Sequence, residues 1–166
     1  RWFARNPATR KQVFLVTKIS PRRGADFTPQ LEACLKRLHT DYVDLFFVHG
    51  ISSIDEITPE LKAWSREMKK AGKVRLFGFS THKNMEPCLL AAAKLGWIDG
   101  IMTSYNHRLM GTDKMRRAVD ACVEAGIGLT AMKTQAAFSA NFYASIGSKT
   151  DAALKMTEKL IRKGYT

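Results

Sequence analysis

Three observations predict an α/β fold, a (β/α)8 barrel of the TIM type represented in this chain by about five β/α units. Short apolar runs alternate with amphipathic helical stretches along the chain. The runs recur roughly every thirty residues, the length of a βαβ unit, which argues for right-handed crossovers and a parallel sheet. Each run also ends in polar side chains: Lys18, His49, Ser80, the Tyr105-Asn106 pair and Lys133. A doubly wound open sheet competes, but it usually carries a Gly-rich fingerprint behind its first strand. Neither GxGxxG nor GxxxxGK[ST] occurs here. Polar groups gathered at the ends of several strands are the habit of the barrel.

In chain order, Arg1–Asn6 reads as the last turns of a helix. Asn6-Pro7 ends it, because the residue before proline is pushed out of the α region. Val13–Ile19 (VFLVTKI) reads as a strand buried on both faces, since its apolar run is continuous where a half-exposed strand would alternate. A PRRGAD loop follows. Thr28-Pro29 then opens a helix, with Thr28 as N-cap and Pro29 at the first helical position. Leu31, Leu35 and Leu38 recur at helical spacing and form its buried stripe. Val43–His49 (VDLFFVH) is the next strand. After a loop, Thr58-Pro59 opens a helix that buries Leu61, Trp64 and Met68 and ends at Gly72. Strand Val74–Ser80, a helix from Met85 to Leu95 closed by Gly96, and strand Ile98–Tyr105 come next. Helix Lys114–Ala125 ends at Gly126, before strand Ile127–Lys133. A long loop leads to a last helix, Asp151–Lys163.

The 166 residues are 45% hydrophobic and 25% charged, a composition that supports one domain with a full core. With 27 basic against 15 acidic residues the formal charge is +12. That favours an anionic partner such as nucleic acid, an acidic surface or a phosphate-bearing cofactor, or else marks a solvated basic surface. Nucleic acid is not expected, because the aromatics fall in strands and helix stripes without interleaved Lys and Arg. Cys34, Cys88 and Cys122 are widely spaced, so neither a metal site nor a disulfide scaffold is expected. Scattered thiols fit a reducing, cytoplasmic compartment. No apolar stretch reaches the roughly 18–20 residues that span a membrane. The chain opens on RWFARNPATRK without an initiator Met, which reads as a fragment of a longer protein.

Side chains alternate along a strand. Lys18 therefore shares a face with Val16 and Phe14, and His49 with Phe47 and Leu45. If both faces line one interior, an ammonium and an imidazole meet at one cavity mouth. Such a Lys can lower the pKa of a nearby phenol or act as a nucleophile, and a neutral His can donate to a carbonyl oxygen. Taken singly, each is equally a strand-end Lys reaching solvent or a His bonded to backbone. His82 and His107 stand in loops at the same presumed face. Arg22-Arg23 and Arg116-Arg117 read more readily as solvated charge than as phosphate clamps. Phe138, Phe142 and Tyr143 follow the fifth strand in a long loop and suit either a lid or an anchor.

These segments resemble the aldo-keto reductase family of (β/α)8-barrel, NAD(P)H-dependent carbonyl reductases. The matching stretches are VFLVTKIS, LKRLHTDYVDLFFVH, GKVRLFGFSTH, IMTSYN and LTAMK, from about Arg1 to Gln135. GFSTH and AMKTQ resemble a bacterial subset whose members often carry a C-terminal iron–sulfur segment, the cysteines for which are not matched in this sequence. The resemblance implies a single domain over 1–166 that covers strands 3 to 7 of the barrel. It implies that Lys18 and His49 are catalytic, as the Lys and His of a family tetrad. The tetrad's Asp and Tyr belong to a DxAxxYG-type segment on an earlier strand, and neither matches a residue here.

By the same resemblance, Ser80, Thr81, Met132 and Lys133 bind NADPH or NADH. Ser80 and Thr81 match a Ser-Asn pair that holds the carboxamide. Met102 stands where many members have Gln, and Met132 where an aromatic often stacks on the nicotinamide. Lys133 suits the pyrophosphate. The implied partner is a small carbonyl substrate, with no metal, nucleic acid or membrane. Two other readings remain open: a nicotinamide-binding regulatory subunit of the same fold without activity, and a barrel enzyme forming a Schiff base at Lys18.

Overall fold

Among the described residues five parallel strands form one sheet in the order β1-β2-β3-β4-β5. They are β1 (Val16–Ile19), β2 (Val43–Ile51), β3 (Val74–Thr81), β4 (Gly100–Ser104) and β5 (Gly128–Met132). The computed structural model describes residues 2–20, 26–106 and 112–134. Arg22-Arg23, His107, Phe138, Phe142, Tyr143 and the helix expected over Asp151–Lys163 lie outside the described residues. The chain divides into two compact units, Arg1–Met132 and Lys133–Thr166. Of the second, Lys133 and Thr134 are described.

The strand order discriminates between the two parallel architectures. A doubly wound sheet reverses its order at a switch point. This sheet runs in sequence order without reversal. With right-handed crossovers throughout, such a sheet keeps its helices on one face, as an arc of a barrel does. Helices α1 (Trp2–Arg5), α2 (Thr28–Leu38), α3 (Pro59–Lys70), α4 (Met85–Leu95) and α5 (Asp113–Glu124) complete the described elements, with short 3-10 turns at Pro7–Gln12 and Ile54–Glu56.

The core lies between one sheet face and α2 to α5. Phe46, Val48, Phe77, Phe79 and Ile101 supply the sheet side, and Leu31, Leu35, Leu61, Trp64, Met68, Leu89 and Cys122 the helix side. An aromatic ladder runs through it from Phe27 to Phe46, Trp64, Phe77 and Trp97, with successive ring centroids 5.1–6.2 Å apart. Such pairs add to the burial of their own area. At the N-terminal ends of β1 to β3, Asp44 is 2% exposed and takes hydrogen bonds from Arg10, Arg75 and the Leu15 N–H. Arg10 also stacks on the Tyr42 ring at 3.8 Å.

The helix ends follow their residues. Thr58 caps α3 through the Leu61 N–H, and Gly72 and Gly96 follow α3 and α4 in left-handed backbone that a side chain would strain. Several boundaries differ from the expectation; β2 and β3 each run past their expected ends, to Ile51 and Thr81, and β5 is Gly128–Met132, without Lys133. Strand β1 is shorter than Val13–Ile19, and Phe14 is 57% exposed. It is an edge strand of the described sheet, so its continuous apolar run does not mark burial on both faces. Thr28 is the first residue of α2 and not its cap; its hydroxyl accepts from Trp64 Nε1 at 2.9 Å instead. Strand β4 is Gly100–Ser104 and excludes Tyr105. Helix α5 begins at Asp113 because the Thr112 hydroxyl accepts from the Met115 N–H.

Candidate functional site

Register fixes which strand-end residues share a face. Lys18 lies opposite Phe47, Phe47 opposite Gly78, Gly78 opposite Gly100, and Gly100 opposite Gly128. Residues directly opposite each other in a sheet point the same way, and each strand alternates. Lys18, His49, Ser80, Met102, Ser104 and Met132 therefore lie on one face, at the C-terminal ends of their strands. It is the face opposite the helical core. Lys18 and His49 are diagonal neighbours on adjacent strands, with Cα atoms about 8 Å apart from the ordinary strand spacing and rise.

The strand ends are joined to one another. His49 Nδ1 lies 3.0 Å from the Ser20 hydroxyl on β1's extension. Beyond Val48 the β2–β3 register slips: Val48 pairs with Phe79, but Ile51 with Thr81, so β2 carries one extra residue there. Such a bulge bends the strand and re-aims a side chain. Gly50 takes the strain with φ 78°, and its N–H donates to the Ser80 hydroxyl at 3.0 Å. Further along the rim, His82 Nδ1 lies 2.9 Å from the Ser104 hydroxyl. Among the described residues the rim thus holds one ammonium, two imidazoles and three hydroxyls, a set suited to orienting a polar carbonyl or amide group.

Loops behind these residues are tied down. The Ser53–Glu56 capping box closes the turn after β2, and the Glu56 carboxylate also accepts from the Ser52 N–H and hydroxyl. Burial pushes that carboxyl up, but these donors outweigh it and hold it below the usual range. Asn84 donates to the Ser52 carbonyl and links the next strand's loop to the same turn.

The predicted site residues separate by position. Lys18 is exposed and His49 half-buried, both on the shared face. Ser80 is fully buried there, next to Gly50. Met132 ends β5 on that face, half-buried, opposite Ser104. Thr81 points the other way, and its buried hydroxyl binds the Ile51 and Lys83 carbonyls. Lys133 begins the second unit with φ 52°. Ser20, Gly50 and Ser104 were not singled out from sequence. Alternation from Lys18 carries Ser20 onto the same face, so its signal was present.

A cavity of about 500 Å³ opens elsewhere, between Gly96–Asp99 and Ala125–Gly128 at the opposite ends of the strands. Among the described residues its one ionisable lining residue is Asp99, which is engaged by Lys69 and the Phe77 N–H. Among the described residues no three His, Cys, Asp or Glu side chains cluster to hold a metal, and no helix is long and apolar enough to cross a membrane.

The sequence model of the aldo/keto reductase family matches residues 1–157. An aldo-keto reductase of Fusarium vanettenii is 31% identical over 102 residues, covering 60% of this chain and 27% of its own. Among solved structures, the holo form of aldo-keto reductase AKR11C1 from Bacillus halodurans superposes with a TM-score of 0.61 at 24% identity, over 77% of this chain and 45% of that one. An aldo-keto reductase from Klebsiella pneumoniae in complex with NADPH gives 0.58 at 22% identity, over 76% and 44%. The matched region therefore spans under a third of that curated relative and under half of these two solved chains.

Proposed function

The chain belongs to the aldo/keto reductase family, and from that premise we propose that it serves an NAD(P)H-dependent oxidoreductase reducing aldehyde or ketone carbonyls. Lys18 and His49 are its catalytic residues within this stretch. The tyrosine acid and the carboxylate partner of the Lys come from outside residues 1–166. The observation that carries the reading is the shared face: Lys18 and His49 stand on adjacent strands at the same end of the sheet.

The residues on that face suit a nicotinamide. A carboxamide needs a hydrogen-bonding partner, and the Ser80 hydroxyl, which accepts from Gly50, retains its own proton to donate once the β2 bulge that buries it gives way to the ligand. A flat ring needs an apolar support, and the Met102 and Met132 thioethers on the same face provide adaptable ones. Thr81 holds the Ile51 and Lys83 carbonyls and so supports Ser80's strand end from behind. Lys133, next after Met132 in the chain, is the residue for the pyrophosphate in this reading. When bound, the reduced nicotinamide supplies the hydride.

Within this scheme His49 orients the substrate oxygen by donating to it. Lys18 places positive charge near the phenol that acts as acid, which favours phenolate as the proton leaves. Charge already positioned where negative charge develops lowers the barrier without reorganisation. Lys18→Met in the protein that carries the tyrosine-bearing segment tests the assignment. We expect NADPH-dependent reduction of a simple aldehyde to be abolished, with an unchanged circular dichroism spectrum. An active Lys18→Met protein removes the role.

A further inference from the structure

We propose that Ser20 is a positioning residue for His49: its hydroxyl donates to Nδ1 and thereby keeps the imidazole proton on Nε2. The catalytic consequence rests on the reductase reading above, but the positioning itself is a property of this chain. A neutral imidazole has one N–H and one lone pair, and the bond made by one nitrogen decides the state of the other. Here Nδ1 has the Ser20 hydroxyl at 3.0 Å. A hydroxyl can rotate to donate or to accept, so it permits the Nε2–H form, which a backbone carbonyl at that place would exclude by forcing the proton onto Nδ1. Donation by serine leaves Nε2–H as the ring's single donor, the form able to hold a carbonyl oxygen.

Two features of the fold make the contact specific. Ile19 pairs with Val48, so the next residues along, Ser20 and His49, meet across the strand ends. The extra residue of β2 follows at once, and Gly50, in left-handed backbone, is bonded to Ser80. His49 is thereby held from both sides, its ring by β1 and its backbone neighbour by β3. Ser20 itself is exposed at the end of an edge strand, so its replacement removes the hydroxyl without opening the core.

The test is the tautomer of His49, read by long-range ¹⁵N–¹H correlation of its ring at about pH 8. His49→Gln assigns the signals among the four histidines. We expect the Nε2–H pattern in the native chain, a mixture of tautomers in Ser20→Ala, and restoration in Ser20→Thr. An Nδ1–H pattern or a mixture in the native chain, or no change in Ser20→Ala, overturns the proposal. In the protein with the tyrosine-bearing segment, Ser20→Ala should lower kcat about tenfold with a smaller change in KM, and Ser20→Thr should recover it. Absence of reductase activity with the Nε2–H pattern intact defeats the proposed function alone; the wrong tautomer in an active enzyme defeats the positioning alone.

Discussion

Gly78→Ala should be among the most damaging single-methyl additions in this sheet, and Gly100→Ala, on its partner strand, should be mild. The two glycines lie directly opposite each other and leave room for the Phe47 ring. A Cβ at Gly78 would fall well inside contact distance of the Gly100 carbonyl oxygen, and 2.7 Å from its carbon. The obstacle is backbone, so β3 and β4 must separate. A Cβ at Gly100 would meet a Leu45 methyl at 3.2 Å and Phe47 at 3.5 Å, and a leucine rotamer can yield by a few tenths of an ångström. Overpacking costs about 1–3 kcal/mol where neighbours can shift, and the loss of unfolded-chain freedom on Gly→Ala returns about 0.4–1 kcal/mol. With a leucine methyl that yields, Gly100→Ala takes the low end of that cost and should lie within about 1 kcal/mol of the native protein, while Gly78→Ala, blocked by backbone, should lose about 3 kcal/mol or more. Urea unfolding followed by circular dichroism measures both. Equal effects, or a larger loss at Gly100, would refute the register and the packing of Phe47 against it.

Asp44→Asn removes the charge that faces buried Arg10 and should destabilise by about 3 kcal/mol, the low end for a broken buried pair, because Arg10 keeps bonds to Thr40, Val13 and Tyr42. Burial pushes the Asp44 carboxyl up, but bonds from Leu15, Arg75 and Arg10 more than reverse this and hold it below its usual value. Its stabilisation is therefore complete above about pH 4, the unfolded value, and is lost as pH falls through the folded one. The gap between native and Asp44→Asn stability should narrow below about pH 4; a constant gap contradicts the assignment. A thiol reagent at neutral pH should label half-buried Cys34 first. Burial pushes the Cys122 thiol up to about 11, and burial followed by the charges of Glu56 and Asp55 raises Cys88, so rapid labelling of either would be inconsistent with the core. Thr58→Ala should lose about 1 kcal/mol through the α3 cap, read from the same urea curves.

The fold was legible because burial and periodicity coincide over most of the chain. Strands β2 and β3 are apolar runs whose alternate residues fill both faces, Phe46 and Phe77 toward the helices and Phe47 toward the other side. Gly72 and Gly96 marked helix ends because only the left-handed backbone there required glycine. Where a local rule had two outcomes, the sequence could not choose. Thr28 before Pro29 has the chemistry of a cap, but Trp64, 36 residues later, claims its hydroxyl. Ser53 and Glu56 form the capping box instead, in a stretch without a helical stripe to draw notice. At the candidate site, alternation placed Lys18 and His49 on one face, as register bears out. It could not reveal the Ser20 contact or the Gly50 bulge, since both depend on how neighbouring strands align.

The most direct test of a nicotinamide site on this face is NADPH titration followed on ¹³C-methyl methionine signals, with the tyrosine-bearing segment present. Met102 and Met132 lie on the Lys18–His49 face, whereas Met68 and Met115 are buried among the helices behind the sheet. The Met102 and Met132 methyls should shift and saturate together while Met68 and Met115 stay in place. Shifts confined to Met68 and Met115, or no shift at any of the four, would contradict a cofactor seated on this side.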